Sequence, residues 1–263
     1  MQVPFQIEGT QNKILLGVLH IPNQILAPCQ VVIMCYGMNG NRVDNNRISR
    51  DFGIACEKNG IIYCRFDYAG LGISEGEFYE ADLLTKVNDC VAVIDFVKGC
   101  IGNEKISIAL LGFSDGARII ANLLPRARFN KLIFWSPLFY TERAYVDSRI
   151  GKKMIREPVT EAVVFPFKGV FISPKHLRQQ MSLQNELETL GPYLNESALI
   201  IFGENDPAVI KIFKKLWVSN FSRFGNIKYI ANADHLYSRK QWKEQLFEIT
   251  INFLKDNYLI NEI

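Results

Sequence analysis

Ile106-Ser107-Ile108-Ala109-Leu110-Leu111-Gly112-Phe113-Ser114-Asp115-Gly116-Ala117-Arg118-Ile119-Ile120-Ala121-Asn122-Leu123 passes from one apolar run, through a glycine-flanked serine, into another. The first six residues predict a strand broken by Gly112, and residues 115–124 predict a helix stopped at Pro125. A turn sharp enough to join them strains the backbone of its apical residue. It also needs small neighbours, because a Cβ at either flanking glycine would clash. The Ser114 hydroxyl would then stand above the carboxyl edge of a sheet, over the positive end of the following helix. The G-x-S-x-G pattern alone is weak: 18 glycines and 12 serines in 263 residues give about 0.06 matches by chance. The strand before and the helix after make Ser114 a candidate nucleophile; the alternative is an incidental serine in a strand–turn–helix.

Working outward, short apolar runs alternate with helical patterns. Strands are expected at 14–21, 31–35, 61–66, 132–135, 198–202 and 226–231, and helices at 46–58, 81–97 and 241–254. Such alternation predicts an α/β fold, a mostly parallel central sheet flanked by helices on both faces, in a single domain over 1–263. Ser136 to Leu194 is the exception, separating two strands that elsewhere would lie one helix apart. It holds Phe139, Tyr140, Tyr145, Phe165, Phe167 and Phe171, with Pro158, Pro166 and Pro174. Loops of that length are commonly functional, so residues 137–194 read as an inserted lid; extra helices on one edge are the alternative.

Composition narrows the partners. A net charge of +3 from scattered basic residues argues against nucleic acid, and Lys211, Lys214 and Lys215 read as one solvated helix face. No apolar stretch approaches the roughly 18 residues that span a bilayer, so no membrane insertion is expected. Met1-Gln2-Val3-Pro4 lacks a signal peptide's charged start and apolar run. Cys29, Cys35, Cys56, Cys64, Cys90 and Cys100 match neither a zinc site nor a disulfide framework. Buried free thiols in a reducing cytosol are expected, hence a cytoplasmic protein.

A serine hydroxyl needs a base, and there are three histidines. His20 lies in an early strand and reads as structural. His176 lies in the lid, where it either touches substrate or faces water. His235 follows the last strand and is the best candidate. Asp206, after the 198–202 strand, completes the order Ser…Asp…His and would orient the imidazole. Glu204 and Asp234 compete, the first close to the strand end, the second adjacent to the histidine and so diverging from it. Oxyanion donors, worth roughly 3–4 kcal/mol for one lost donor, are expected from the backbone N–H groups of Asp115 and Met38. Met38 lies in Tyr36-Gly37-Met38-Asn39-Gly40-Asn41, where Gly37 would give the chain room to turn. Tyr36, Phe139, Phe165 and His176 are candidate substrate contacts.

These residues resemble the lid-bearing α/β-hydrolases of the serine-aminopeptidase-like and cinnamoyl-esterase-like group. Leu16-Gly17-Val18-Leu19-His20-Ile21-Pro22 looks like its N-terminal hairpin. Asp67-Tyr68-Ala69-Gly70-Leu71-Gly72-Ile73-Ser74-Glu75-Gly76 is similar to its D-x-x-G-x-G-x-S-x-G turn, and Gly203-Glu204-Asn205-Asp206-Pro207-Ala208-Val209 to its acid motif. The chain departs from the group at Tyr36-Gly37 in place of His-Gly, at Ala231 and Ala233 in place of glycine, and at Asp115, where Gln or Met is usual. A carboxylate there would oppose a developing oxyanion unless it points away or meets a polar group of the substrate. The resemblance implies an α/β-hydrolase fold with an inserted lid and a serine hydrolase acting on a carboxylic ester or thioester through an acyl-enzyme. Acyltransferase, thioesterase and amidase or peptidase activity on the same triad are alternatives, as is a non-catalytic ligand-binding homologue. The implied partner is a small-molecule acyl substrate, with a carrier-bound acyl group and a homo-oligomer left open. No metal or organic cofactor is implied.

Overall fold

The computed structural model describes residues 1–25, 28–101, 106–139, 154–167, 169–182, 197–207, 209–211 and 226–256. Tyr140, Tyr145, Ala208, Lys214 and Lys215, singled out above, lie outside them. An eight-stranded sheet has the order β1-β2-β4-β3-β5-β6-β10-β11. The strands are β1 (Gln2–Glu8), β2 (Ile14–His20), β3 (Cys29–Cys35), β4 (Ile62–Phe66), β5 (Ile106–Phe113), β6 (Lys131–Trp135), β10 (Ala198–Gly203) and β11 (Ile227–Ile230). β2 runs antiparallel to β1 and β4, and the pairings from β4 to β11 are parallel. The central strands carry apolar runs because both faces are covered: Val31 to Cys35 and Ile133 to Trp135 are wholly buried.

The flanking helices are α1 (Ile48–Lys58), α2 (Leu83–Ile101), α3 (Gly116–Leu123) and α5 (Lys240–Lys255). α1 packs on α5 through Phe52 and Phe247, whose ring centroids are 5.3 Å apart, and α2 packs on α3. In the 137–194 segment, β7 (Ile155–Arg156), β8 (Val163–Phe167) and β9 (Val170–Ile172) form a three-stranded antiparallel sheet, followed by α4 (Pro174–Ser182). Its own small core, Phe165, Ile172 and Leu177, packs on Met38 and Phe78. α4 docks on the start of α2: Lys175 pairs with Asp82 at 2.5 Å, and Gln179 accepts from the Leu83 N–H at 2.7 Å.

Four sequence expectations need correcting. β1 went unread because Gln2–Glu8 is an edge strand with only one half-buried face and a proline inside it. α1 starts at Ile48 rather than residue 46, because Asn46 and Arg47 hold left-handed φ values of 52° and 62°. Gly112 does not break β5 but sits within its ladder, paired with Cys35 and Phe134. Its bareness admits the returning helix, since a Cβ there would lie 2.9 Å from Ile120 Cδ1 and 3.1 Å from the Ala117 nitrogen. Of the six cysteines, five are buried free thiols, whereas Cys100 is exposed.

Gly116 is under a stronger constraint. A Cβ there would stand 1.9 Å from the Cys35 carbonyl oxygen. Gly116→Ala should therefore destabilise the fold by at least about 2 kcal/mol. Gly99→Ala in α2, with nothing within 4 Å of the added Cβ, should gain about 0.5–1 kcal/mol. Urea unfolding of both variants checks the contrast, and equal effects would contradict it.

Candidate active site

β5 hands over to α3 through Ser114, whose φ is +51°, a strained value for a residue with a side chain. Hydrogen bonds hold it there. The Ser114 N–H donates to the Trp135 carbonyl at 2.9 Å, and its carbonyl accepts from the Leu138 N–H at 2.9 Å and the Ala117 N–H at 3.2 Å. The hydroxyl projects at the carboxyl end of the parallel strands, where it meets two loops.

One loop follows β11 and carries His235. His235 Nε2 lies 3.0 Å from Ser114 Oγ, and Nδ1 lies 2.6 Å from Asp206 Oδ2. With the proton on Nδ1 donated to the carboxylate, Nε2 is left to accept from the serine hydroxyl. The ring also stacks on Phe113 at 5.8 Å, a support that sequence reasoning missed. The Asp206 and His235 loops are tied directly: the Asn205 N–H donates to the Ala233 carbonyl at 2.8 Å, and the Asn232 N–H to Glu204 at 3.0 Å. Glu204 thus serves the loop junction. Asp234 accepts from the Leu236 and Ser238 N–H groups at 3.1 and 3.0 Å, shaping the turn after the histidine. The left-handed φ values of this loop fall on Asn232, at 58°, and Tyr237, at 48°, so Ala231 and Ala233 do not need to be glycine.

The second loop follows β3. A Cβ at Gly37 would stand 3.5 Å from Ser114 Cβ and 3.9 Å from Oγ, so this backbone runs beside the hydroxyl. Gly37 is not among the residues with positive φ; what its bareness provides is room beside Oγ rather than a turn. The Gly40 N–H donates to the Gly37 carbonyl at 3.2 Å, and Lys86 Nζ donates to the Met38 carbonyl at 2.9 Å. Arg42 is held through Asp67, which takes its backbone N–H at 2.6 Å and pairs with its guanidinium. Asp67 is kept in place by the Ile73 N–H at 3.0 Å and by Gly72, where a Cβ would lie 2.1 Å from the carboxylate. The D-x-x-G-x-G-x-S-x-G turn is therefore a clamp for this loop.

The remaining candidates fall in different places. Tyr36 is buried, with its hydroxyl accepting from the Tyr68 N–H at 2.7 Å and its ring 4.6 Å from that of Tyr68. Phe139 is buried against Phe134, and Phe165 belongs to the small core over Met38. His176 does not face water: it is 3% exposed, with Nδ1 3.2 Å from the Ala81 carbonyl oxygen. Burial and the nearby Lys86 charge hold its pKa down at about 4. His20 is buried between Glu57, 2.7 Å from Nδ1, and Arg65, whose Nε donates to Nε2 at 2.7 Å. Its burial and Arg65 lower its pKa to about 4.

Asp115 turns inward and pairs with Arg118 at 2.6 Å, both buried. Burial raises its pKa, but Arg118 and then Lys86 more than compensate, leaving it below the usual carboxylate value. The negative charge beside Ser114 is thus countered from within the protein. Lys86 and Arg118 were overlooked, although both left a trace in the sequence. Lys86 interrupts the apolar stripe of Leu83, Val87, Cys90 and Ile94, and Arg118 follows Asp115 at helical i,i+3 spacing. Among the described residues no His/Cys/Asp/Glu cluster could hold a metal, and no helix is long and apolar enough to cross a membrane.

No protein-family model matches this sequence, and a search of curated proteins finds no match. Solved structures do match. Est1E from Butyrivibrio proteoclasticus, with ferulic acid bound, is 19% identical over 95% of this chain and 97% of its own, with a TM-score of 0.71. An alpha-beta serine hydrolase homologue from Coxiella burnetii is 21% identical over 95% and 96%, at 0.62. XC6422 from Xanthomonas campestris, an a/b serine hydrolase without lid, is 16% identical over 97% and 96%, also at 0.62. The chain has the α/β-hydrolase fold.

Asp44, in the loop after β3, was also missed. It is buried, and its Oδ2 has no hydrogen-bond partner among the described residues. Burial lifts its pKa from 3.8 to about 6, against the opposing bonds from Asn45. A raised folded pKa stabilises the fold fully below the unfolded value and loses that contribution as pH rises through the folded one. Replacing Asp44 by Asn should therefore raise the Tm relative to wild type progressively from about pH 4 to about pH 8, a change on the order of 2–3 kcal/mol. Thermal unfolding across that range measures it, and a constant offset would contradict it.

Proposed function

We propose that the protein is a serine hydrolase that cleaves a carboxylic ester or thioester through an acyl-enzyme on Ser114. The observation that carries this reading is the unbroken relay from Ser114 Oγ to His235, 3.0 Å, and on to Asp206, 2.6 Å. Ser114 Oγ attacks the carbonyl carbon as His235 Nε2 takes its proton, and Asp206 stabilises the resulting imidazolium. The oxyanion is received by the N–H groups of Met38 and Asp115. His235 then protonates the departing alcohol or thiol. Water, activated by the same imidazole, attacks the acyl-enzyme, releases the carboxylic acid and restores Ser114.

The 137–194 segment is read as a lid, with Phe165 and Met38 forming the apolar side of the acyl site. Ferulic acid in Est1E, a structure of the same fold, is consistent with an acyl group of that character. Five buried free thiols support residence in a reducing compartment.

A fluorophosphonate probe should label wild type on Ser114, and Ser114→Ala should not react. His235→Ala should lower kcat for an activated ester by about 10⁴-fold or more, and Asp206→Asn by roughly 10³–10⁴-fold. Failure of the folded wild type to label, or full esterase activity in His235→Ala, would sink the reading. Across a panel with one acyl group, oxygen esters and thioesters should turn over well ahead of the amide.

A further inference from the structure

Lys86 is a charge where the helix pattern calls for a hydrophobic residue. It lies in the first turn of α2 with 1% of its surface exposed. Burying an ammonium is costly, and an apolar residue of similar volume is often no worse for stability. Its surroundings point to what the charge does. Nζ donates to the Met38 carbonyl at 2.9 Å and stands 5.8 Å and 5.6 Å from the ring centroids of Tyr68 and Phe78. Asp115 and Arg118 face it from the elbow and α3, His176 from α4, Asp82 from just before α2 and Asp89 from α2 itself. Lys86 thus touches one of the two proposed oxyanion donors and acts electrostatically on the other.

The peptide planes around Met38 explain why that contact matters. A trans peptide points its N–H and C=O in opposite directions. The Gly37 carbonyl, held by the Gly40 N–H at 3.2 Å, fixes the plane that carries the Met38 N–H. The Met38 carbonyl, held by Lys86, fixes the next plane. Both dihedrals of Met38 lie between these anchored planes, while its side chain is packed under Phe165, Ile172 and Leu177.

We propose that Lys86 is a positioning residue for the oxyanion hole, holding the Met38 peptide in its donor orientation and countering the Asp115 carboxylate beside the developing negative charge. This rests on the reading of Met38 and Asp115 as oxyanion donors. Burial draws the Lys86 pKa down from 10.5 to about 8, with Asp115 opposing the shift. Loss of that proton removes the positive charge and weakens the bond to Met38. Turnover should therefore fall at alkaline pH with an apparent pKa near 8, in a group that does not touch the substrate.

The experiment measures kcat and KM for a neutral activated ester from about pH 6 to about pH 10 in wild type, Lys86→Met and Lys86→Arg. Fluorophosphonate labelling of wild-type Ser114 is run alongside. We expect an alkaline decline in wild-type kcat. Lys86→Met should have kcat lowered about 10- to 100-fold with KM within about threefold, and no such decline. Lys86→Arg, which keeps a charged donor, should recover part of kcat and move the decline above pH 10. A wild-type kcat flat to pH 10, needing no variant, overturns the proposal, as does a decline that persists unchanged in Lys86→Met. Absent labelling of wild type would instead defeat the hydrolase reading itself.

Discussion

A Cβ at Gly116 would stand 1.9 Å from the Cys35 carbonyl oxygen and 3.1 Å from that of Tyr36, so the end of β3 and the start of α3 meet at a separation only bare backbone permits. Much of the site hangs on that approach. It brings the Gly37–Met38 backbone beside Ser114 Oγ and sets the N-terminal end of α3 under the same space. The strained φ of Ser114 persists because three backbone hydrogen bonds, to Trp135, Leu138 and Ala117, hold it from both sides. Strain at Ser114 and close packing at Gly116 are two expressions of one tight strand-to-helix turn.

The second organising feature is electrostatic. Charged groups buried near Ser114 would cost more than they contribute were they left unpaired. Here Asp115 is paired with Arg118, and Lys86 is bonded to the Met38 carbonyl. His176 is held neutral by burial and its cationic surroundings. The arrangement lies beneath the docked helix α4, whose Lys175, His176 and Gln179 reach the segment Ala81 to Leu83 at the start of α2. Docking of α4 and protection of these charges from water are thus one structural event, linking the 137–194 segment to the charged groups around Ser114.

The strands buried on both faces were the most legible part of the sequence. β10 is buried at every position, and β3, β5 and β6 are buried except within their first two residues, where Gln30, Ile106, Ser107 and Lys131 are partly exposed, so each leaves a continuous apolar run. β1 was not legible, since a half-buried edge strand with a proline leaves little pattern. Ser114, Asp206 and His235 could be read from their positions after β5, β10 and β11, and the structure brings them within hydrogen-bond distance. The polar groups around them could not be read that way. Lys86 takes its role from the Met38 carbonyl on another element and Asp44 from its burial, and nothing in their local sequence shows either. Asp115, conspicuous in the sequence, has its trace of the pairing in Arg118, one helical turn further on.

The most direct measurement of the central claim is rapid-quench mass spectrometry with an activated ester in excess. The account predicts a mass increase equal to one acyl group that forms before steady state, maps to the peptide containing Ser114 and disappears as substrate is exhausted. An ester turned over with no acyl adduct in wild type, or an adduct that forms equally in Ser114→Ala, would contradict it.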